Sequence, residues 1–211
     1  MRQRILTILC RILGAVCHPL WMPTYGIILF YAVFSQTTSF PTAYWLFAVL
    51  GTFFLTALVP LTMIIIRYFA GTVTSLEIRN ASERTPVYIY TVVCYLFWCY
   101  YLSAVLHAPI VLLLIAIGAS LALLGVLIVN RRWKISAHLT GLGGLIGGIS
   151  AYCMHSGHSA PVGLIGGLLG LALILMYARL YTDSHTSLQV VAGLLWGVLM
   201  TMFPALVYAL I

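Results

Sequence analysis

A chain of 211 residues that is 63% hydrophobic and only 6% charged cannot cover a soluble surface, because a globular domain carries roughly a quarter charged residues. The net charge of +7 comes from ten Lys/Arg against three acids. Those basic residues fall between apolar runs, so they point to membrane orientation and anionic headgroups rather than to nucleic acid. The runs are long and continuous, which excludes the short alternating strands of a β-barrel and a lone signal peptide on a secreted domain.

A crossing needs about 20 apolar residues. The first run, Ile5–Phe34, is interrupted by Pro19 and Pro23. The second is Ala43–Ile66, followed by a polar loop that holds two of the three acids. Val87–Leu106 and Pro109–Val129 come next, then a basic loop, Asn130–His138. Leu139–Met154 is rich in glycine, Val162–Tyr177 follows a short neutral loop, and Leu188–Ile211 ends the chain. The expected fold class is all-α: a polytopic transmembrane helical bundle of about six to seven spans, forming one transmembrane domain over residues 1–211. Gly143/Gly147, Gly144/Gly148, Gly163/Gly167 and Gly166/Gly170 are each four apart. That spacing predicts close packing of the fifth run against the sixth. The five cysteines form no CxxC pair and sit in apolar surroundings, so they read as small hydrophobes. His18 and Tyr25 flank the proline break and are placed to satisfy the carbonyls it frees. The aromatic run from Tyr88 to Tyr101 covers all sides of a helix, which suits packing and interface anchoring, or a groove for a lipid tail.

The charged loops lie at 67–86, 130–138 and 178–187, and two runs separate each from the next. An even number of crossings returns the chain to the same side, so these loops share a face. If the first run crosses once, all ten basic residues share it too, and that face is cytoplasmic by the positive-inside rule. If the prolines turn the run back, the N-terminal arginines lie opposite. The shared face gathers Arg79, Glu83, Arg84, Lys134, Ser136, His138, Arg179, Asp183 and His185. Arginine, lysine and serine suit a phosphate cradle, and paired histidines suit a nucleophile and a general acid.

Arg179, His185 and Gln189, spaced Arg-x5-His-x3-Gln, resemble the third signature of the type 2 phosphatidic acid phosphatase superfamily, in which the last position is Asp. Ser136-Ala137-His138 resembles the second signature, Pro-Ser-Gly-His, and Arg84-Thr85-Pro86 resembles the end of the first. His155-Ser156-Gly157-His158 copies the second more literally, but one run before Arg179 puts it on the opposite face. The resemblance implies His185 as nucleophile, His138 as acid for the leaving alcohol, and Arg84, Ser136, Arg179 and Lys134 on the phosphate oxygens. The place of the signature lysine holds Glu77, and either Arg79 or Lys134 is available to replace it. Gln189 occupies the place of the orienting Asp, with Asp183 nearby as a substitute. The resemblance implies no cofactor and no metal, membrane lipids and a phosphorylated lipid as partners, and a multi-pass protein of the bacterial inner membrane. The activity implied is hydrolysis of a lipid or polyprenyl phosphate through a phospho-His. The alternative is a catalytically inactive pocket that binds or moves the same lipid. A small-solute transporter fits less well, since no inverted repeat or mid-span charge is present.

Overall fold

The computed structural model describes residues 2–35, 39–73 and 81–210, which form helices with no strand among them. Arg79 and Glu77 lie outside the described residues. The chain order is α1 (Arg2–Val16), a 3-10 turn (Pro19–Trp21), α2 (Met22–Phe34), α3 (Thr42–Phe53), α4 (Val59–Phe69), α5 (Ala81–Tyr100), α6 (Ile110–Val129), α7 (Ala137–Ser156), α8 (Val162–Tyr181) and α9 (Ser187–Ala209). A π-helical segment, Phe54–Leu58, joins α3 to α4, and another, Tyr101–Val105, extends α5. Six helical segments among the described residues are long and apolar enough to cross a membrane, so the protein is a multi-pass integral membrane protein with an all-α bundle.

α7 has the same 20-residue length as α6 and α8 but is diluted by glycine, and it runs through the middle of the bundle with most of its length buried. Its partners fix the directions. Ser136 and Thr140 sit against Gly193 and Gly197 of α9, and Gly143 and Gly147 against Leu194 and Val198, so α7 and α9 run parallel. Gly118 and Gly125 of α6 meet Thr201 and Trp196 of α9, so α6 runs against them. Met22 packs by Gly141 and Phe30 by Tyr152, so α2 runs with α7.

Two expectations are corrected here. The glycines of α7 do not dock on the sixth run. Gly143 and Gly147 dock on α9, while Gly163, Gly166, Gly167 and Gly170 of α8 have nothing near enough to touch an added Cβ. The motif records a small residue every turn, not which neighbour arrives. Second, α5 begins at Ala81 and α8 ends at Tyr181, so Arg84 and Arg179 ride on helical turns rather than loops. Pro86 lies inside α5, in its second turn, and removes one helical N–H donor there. Arg179 in the last turn of α8 complements the dipole of that helix end.

The proline break behaves as its chemistry requires. His18 is extended (φ −65°, ψ 138°) and its Nδ1 accepts the Leu20 N–H at 3.4 Å. The freed carbonyls of Ala15 and Val16 accept from Trp21 Nε1 at 3.0 Å and Tyr25 Oη at 3.1 Å. α1 packs on α8 and α2 on α3 and α7. The five cysteines are free thiols.

Candidate functional site at the shared helix ends

One end of the bundle holds the start of α5, the end of α8 and the starts of α7 and α9. A cavity of about 610 Å³ opens there, with Arg84, Lys134, His138, Arg179, Asp183 and His185 among its lining residues. Arg11 of α1 and His18 at the proline break line it too. Of the nine residues expected on the shared face, the first six named here line the cavity, Glu83 and Ser136 do not, and Arg79 lies outside the described residues.

His185 is built from α9. Thr186 caps that helix in a capping box: its side chain accepts the N–H of Gln189, and Gln189 Oε1 accepts the N–H of Thr186 at 3.1 Å. The backbone bond fixes which end of the amide points inward. The same Oε1 lies 3.2 Å from His185 Nδ1, and the Lys134 carbonyl lies 3.3 Å from that nitrogen. Both partners are acceptors, so Nδ1 carries the proton and Nε2 keeps a free lone pair. Burial, then the charges of Arg179 and Lys134, hold the His185 pKa down to about 4, against the bonds to Gln189 and Lys134. The imidazole is thus neutral at pH 7, as a nucleophile must be.

His138 starts α7 and donates from Nε2 to the Gly14 carbonyl at 3.1 Å, which leaves Nδ1 as the nitrogen free to exchange a proton. The edge of His18 packs on it, ring centroids 5.4 Å apart. Arg179 acts electrostatically on His18, His138, His185 and Tyr88 together, which places it at the hub of the cluster. Arg84 bonds the Tyr88 hydroxyl one turn along α5.

Two sequence expectations fail in geometry. Ser136 does not face the cavity. Its N–H donates to the Gln189 carbonyl at 3.2 Å and Gly193 of α9 lies over it, so its hydroxyl is fully buried with no hydrogen-bond partner. The residues on either side, Ile135 and Ala137, line the cavity instead. By helical geometry the first N–H groups of α7 have no partner within the helix, and they offer an anion what the serine hydroxyl does not. Asp183 does not orient His185 either. It holds the left-handed turn after α8 (φ 48°), and the orienting bonds to Nδ1 come from Gln189 and Lys134. Aspartate is among the few residues that adopt this conformation readily.

Three participants were not legible as site residues. Gly14 and His18 come from the N-terminal run, far in sequence from the motifs, and a histidine beside an intramembrane proline break was the available signal. Tyr88 belongs to the aromatic run, which divides by helical face. Tyr88, Thr91, Tyr95 and Trp98 line the cavity, while Tyr90, Phe97 and Tyr100 face outward. The literal motif copy at His155–His158 lies at the far end of α7, where His158 stacks on Tyr152 and meets Phe34 edge to face. No family profile, curated protein or solved structure matches this chain.

Proposed function

We propose that this chain is a divergent member of the type 2 phosphatidic acid phosphatase superfamily in the bacterial inner membrane, hydrolysing a phosphomonoester or pyrophosphate of a lipid or polyprenyl phosphate. The observation that carries the reading is His185, with Nδ1 tied to two acceptors and Nε2 free, at a cationic mouth above an apolar cavity. In this reading Nε2 attacks phosphorus and a P–N bond forms as the ester P–O bond breaks. His138, entering as the imidazolium with Nε2–H kept on the Gly14 carbonyl, gives its Nδ1 proton to the leaving alcohol. Water then attacks the phosphohistidine, His138 takes back a proton, and inorganic phosphate leaves. Arg84, Lys134 and Arg179 offset the charge on the phosphoryl oxygens, a contribution that is large where water is scarce.

Gln189 supports a second reading. An amide orients the imidazole but cannot stabilise an imidazolium as a carboxylate does. The same pocket then binds a phosphorylated lipid without cleaving it. A phosphate-release screen of the purified protein against phosphatidic acid and polyprenyl diphosphates decides between them. The hydrolase reading expects release that vanadate inhibits and that His185→Ala abolishes. Full release by His185→Ala would overturn the mechanism, and saturable binding of these lipids with no release would establish the second reading.

A further inference from the structure

The cavity is deeper than a phosphate requires. On α7 its wall runs from His138 to Ile149, and on α5 from Arg84 to Trp98, which at the helical rise is about 16 Å and about 21 Å. The hydrocarbon core is about 30 Å thick, so the cavity reaches at least halfway through it. Below the mouth the wall is apolar: Tyr95 and Trp98 from α5, Ile115 and Ala119 from α6, Leu145 and Ile149 from α7. Arg84, Lys134, Arg179 and Asp183 stand at one end, where α5 and α7 begin and α8 finishes. A void with one cationic end and an apolar length fits an amphiphile with an anionic head and a hydrocarbon chain, and a water-soluble phosphate would use only the mouth.

Two glycines shape this lower part. Gly144 and Gly148 line the cavity one turn apart. A Cβ on Gly144 would sit 3.4 Å from Thr201 Cγ2, and one on Gly148 would sit 3.1 Å from Ile115 Cγ2. The two methyls belong to neighbouring helices, Thr201 to α9 and Ile115 to α6, and both residues line the cavity beside the glycines, so the missing Cβ at each position leaves the cavity volume that a side chain would take. Anything larger at either position fills the slot.

We infer that the lower cavity is a slot for the hydrocarbon chain of the substrate, and that Gly144 and Gly148 set how far that chain enters. The inference rests on the lipid phosphate reading for the head group alone. Its test uses alkyl phosphates from octyl to octadecyl, each carrying a terminal bromine, with the protein in phosphatidylcholine nanodiscs. Trp98 lies in the deep wall and serves as the reporter. Bromoalkyl phosphates are expected to quench tryptophan fluorescence saturably, with an optimum chain length, and Trp98→Phe is expected to remove that component. Gly144→Leu is expected to weaken the longest chains at least tenfold and move the optimum to shorter ones. Ile115→Ala, which widens the same level, is expected to move it the other way, and Gly144→Ala is the folding control. A wild-type profile flat with chain length, or an unchanged profile in both Gly144→Leu and Ile115→Ala, would overturn the slot. Phosphate release in the same samples separates the two readings. Length-dependent binding without release defeats the hydrolase and leaves the slot. Release with no length dependence defeats the slot and leaves the hydrolase.

Discussion

On one side of α7, Gly143 and Gly147 lie where any Cβ would enter the backbone of α9. On the next face round, Gly144 and Gly148 border the cavity and meet only side-chain methyls, of Thr201 on α9 and Ile115 on α6. The spacing of the two pairs is identical, and their work is opposite: one pair closes a helix interface and the other keeps a space open. The α9 side carries the fixed part of the site, since Ser136 N–H bonds the Gln189 carbonyl and Gln189 holds His185. The cavity side carries the groups that meet a ligand: Arg84, Tyr88, His18 and the apolar wall. The difference teaches that a small-residue motif marks close approach without saying whether backbone or ligand approaches.

The largest expected effect tests whether the α9 side only holds the nucleophile. Gln189→Ala removes the acceptor for both Thr186 N–H and His185 Nδ1 and frees the ring to turn. Phosphate release is expected to fall by about 10²-fold or more, with a cap loss of about 1 kcal/mol in stability. Gln189→Glu keeps the capping geometry and adds a charge beside the imidazole, so release is expected to rise above wild type. A fall in release with Gln189→Glu would show that the neutral amide is required.

The second effect breaks the comparison directly. Gly147→Ala drives a methyl into the Val198 carbonyl and is expected to cost about 1–3 kcal/mol. Gly144→Ala meets only ordinary contact, and the better helix propensity of alanine is expected to leave stability unchanged or raise it by up to about 1 kcal/mol. Thermal unfolding in one detergent ranks the two. Equal melting temperatures would remove the distinction between the faces.

The third concerns pH. His185 has a folded pKa near 4 against the ordinary 6.5, so folding favours its neutral form. Its contribution to stability is full above pH 6.5 and is lost as pH falls towards 4. Release, which needs the unprotonated Nε2, is expected to persist through pH 5 and fall near pH 4. In Gln189→Glu that acid limb moves up, because a carboxylate favours the charged ring. A pH–rate profile of both proteins checks this, and an acid limb that stays put in Gln189→Glu would mean another group sets it.

Much of this was legible in the sequence. Hydropathy placed the helices, and the parity of crossings brought Arg84, Lys134, His138, Arg179 and His185 to one end. What a linear pattern could not convey was facing. Ser136 matches its motif by spacing, yet the backbone bond to Gln189 turns it towards α9. Gln189 stands where the signature has a carboxylate, and the Thr186-x-x-Gln189 spacing of a capping box gives it a second job at the start of α9. The cavity itself is a product of three-dimensional packing, drawn from eight helices whose contributing residues look in sequence like any other apolar stripe.

The smallest effect lies at the proline break. His18 caps the 3-10 turn through Nδ1 and sets its ring edge against His138. These are separable roles. His18→Asn retains a short polar acceptor for the Leu20 N–H, so melting is expected to stay within about 0.5 kcal/mol of wild type. The ring that steadies His138 is lost, and the proton donor on the cavity side gains freedom while His185 keeps its bonds to Gln189 and Lys134. Release is expected to fall about three- to tenfold, within what a positioned acid contributes. The loss should be larger for an alkyl leaving group than for a nitrophenyl one, which leaves without needing that proton. Equal losses on both substrates would place the role of His18 in the fold of the break and not in the alignment of His138.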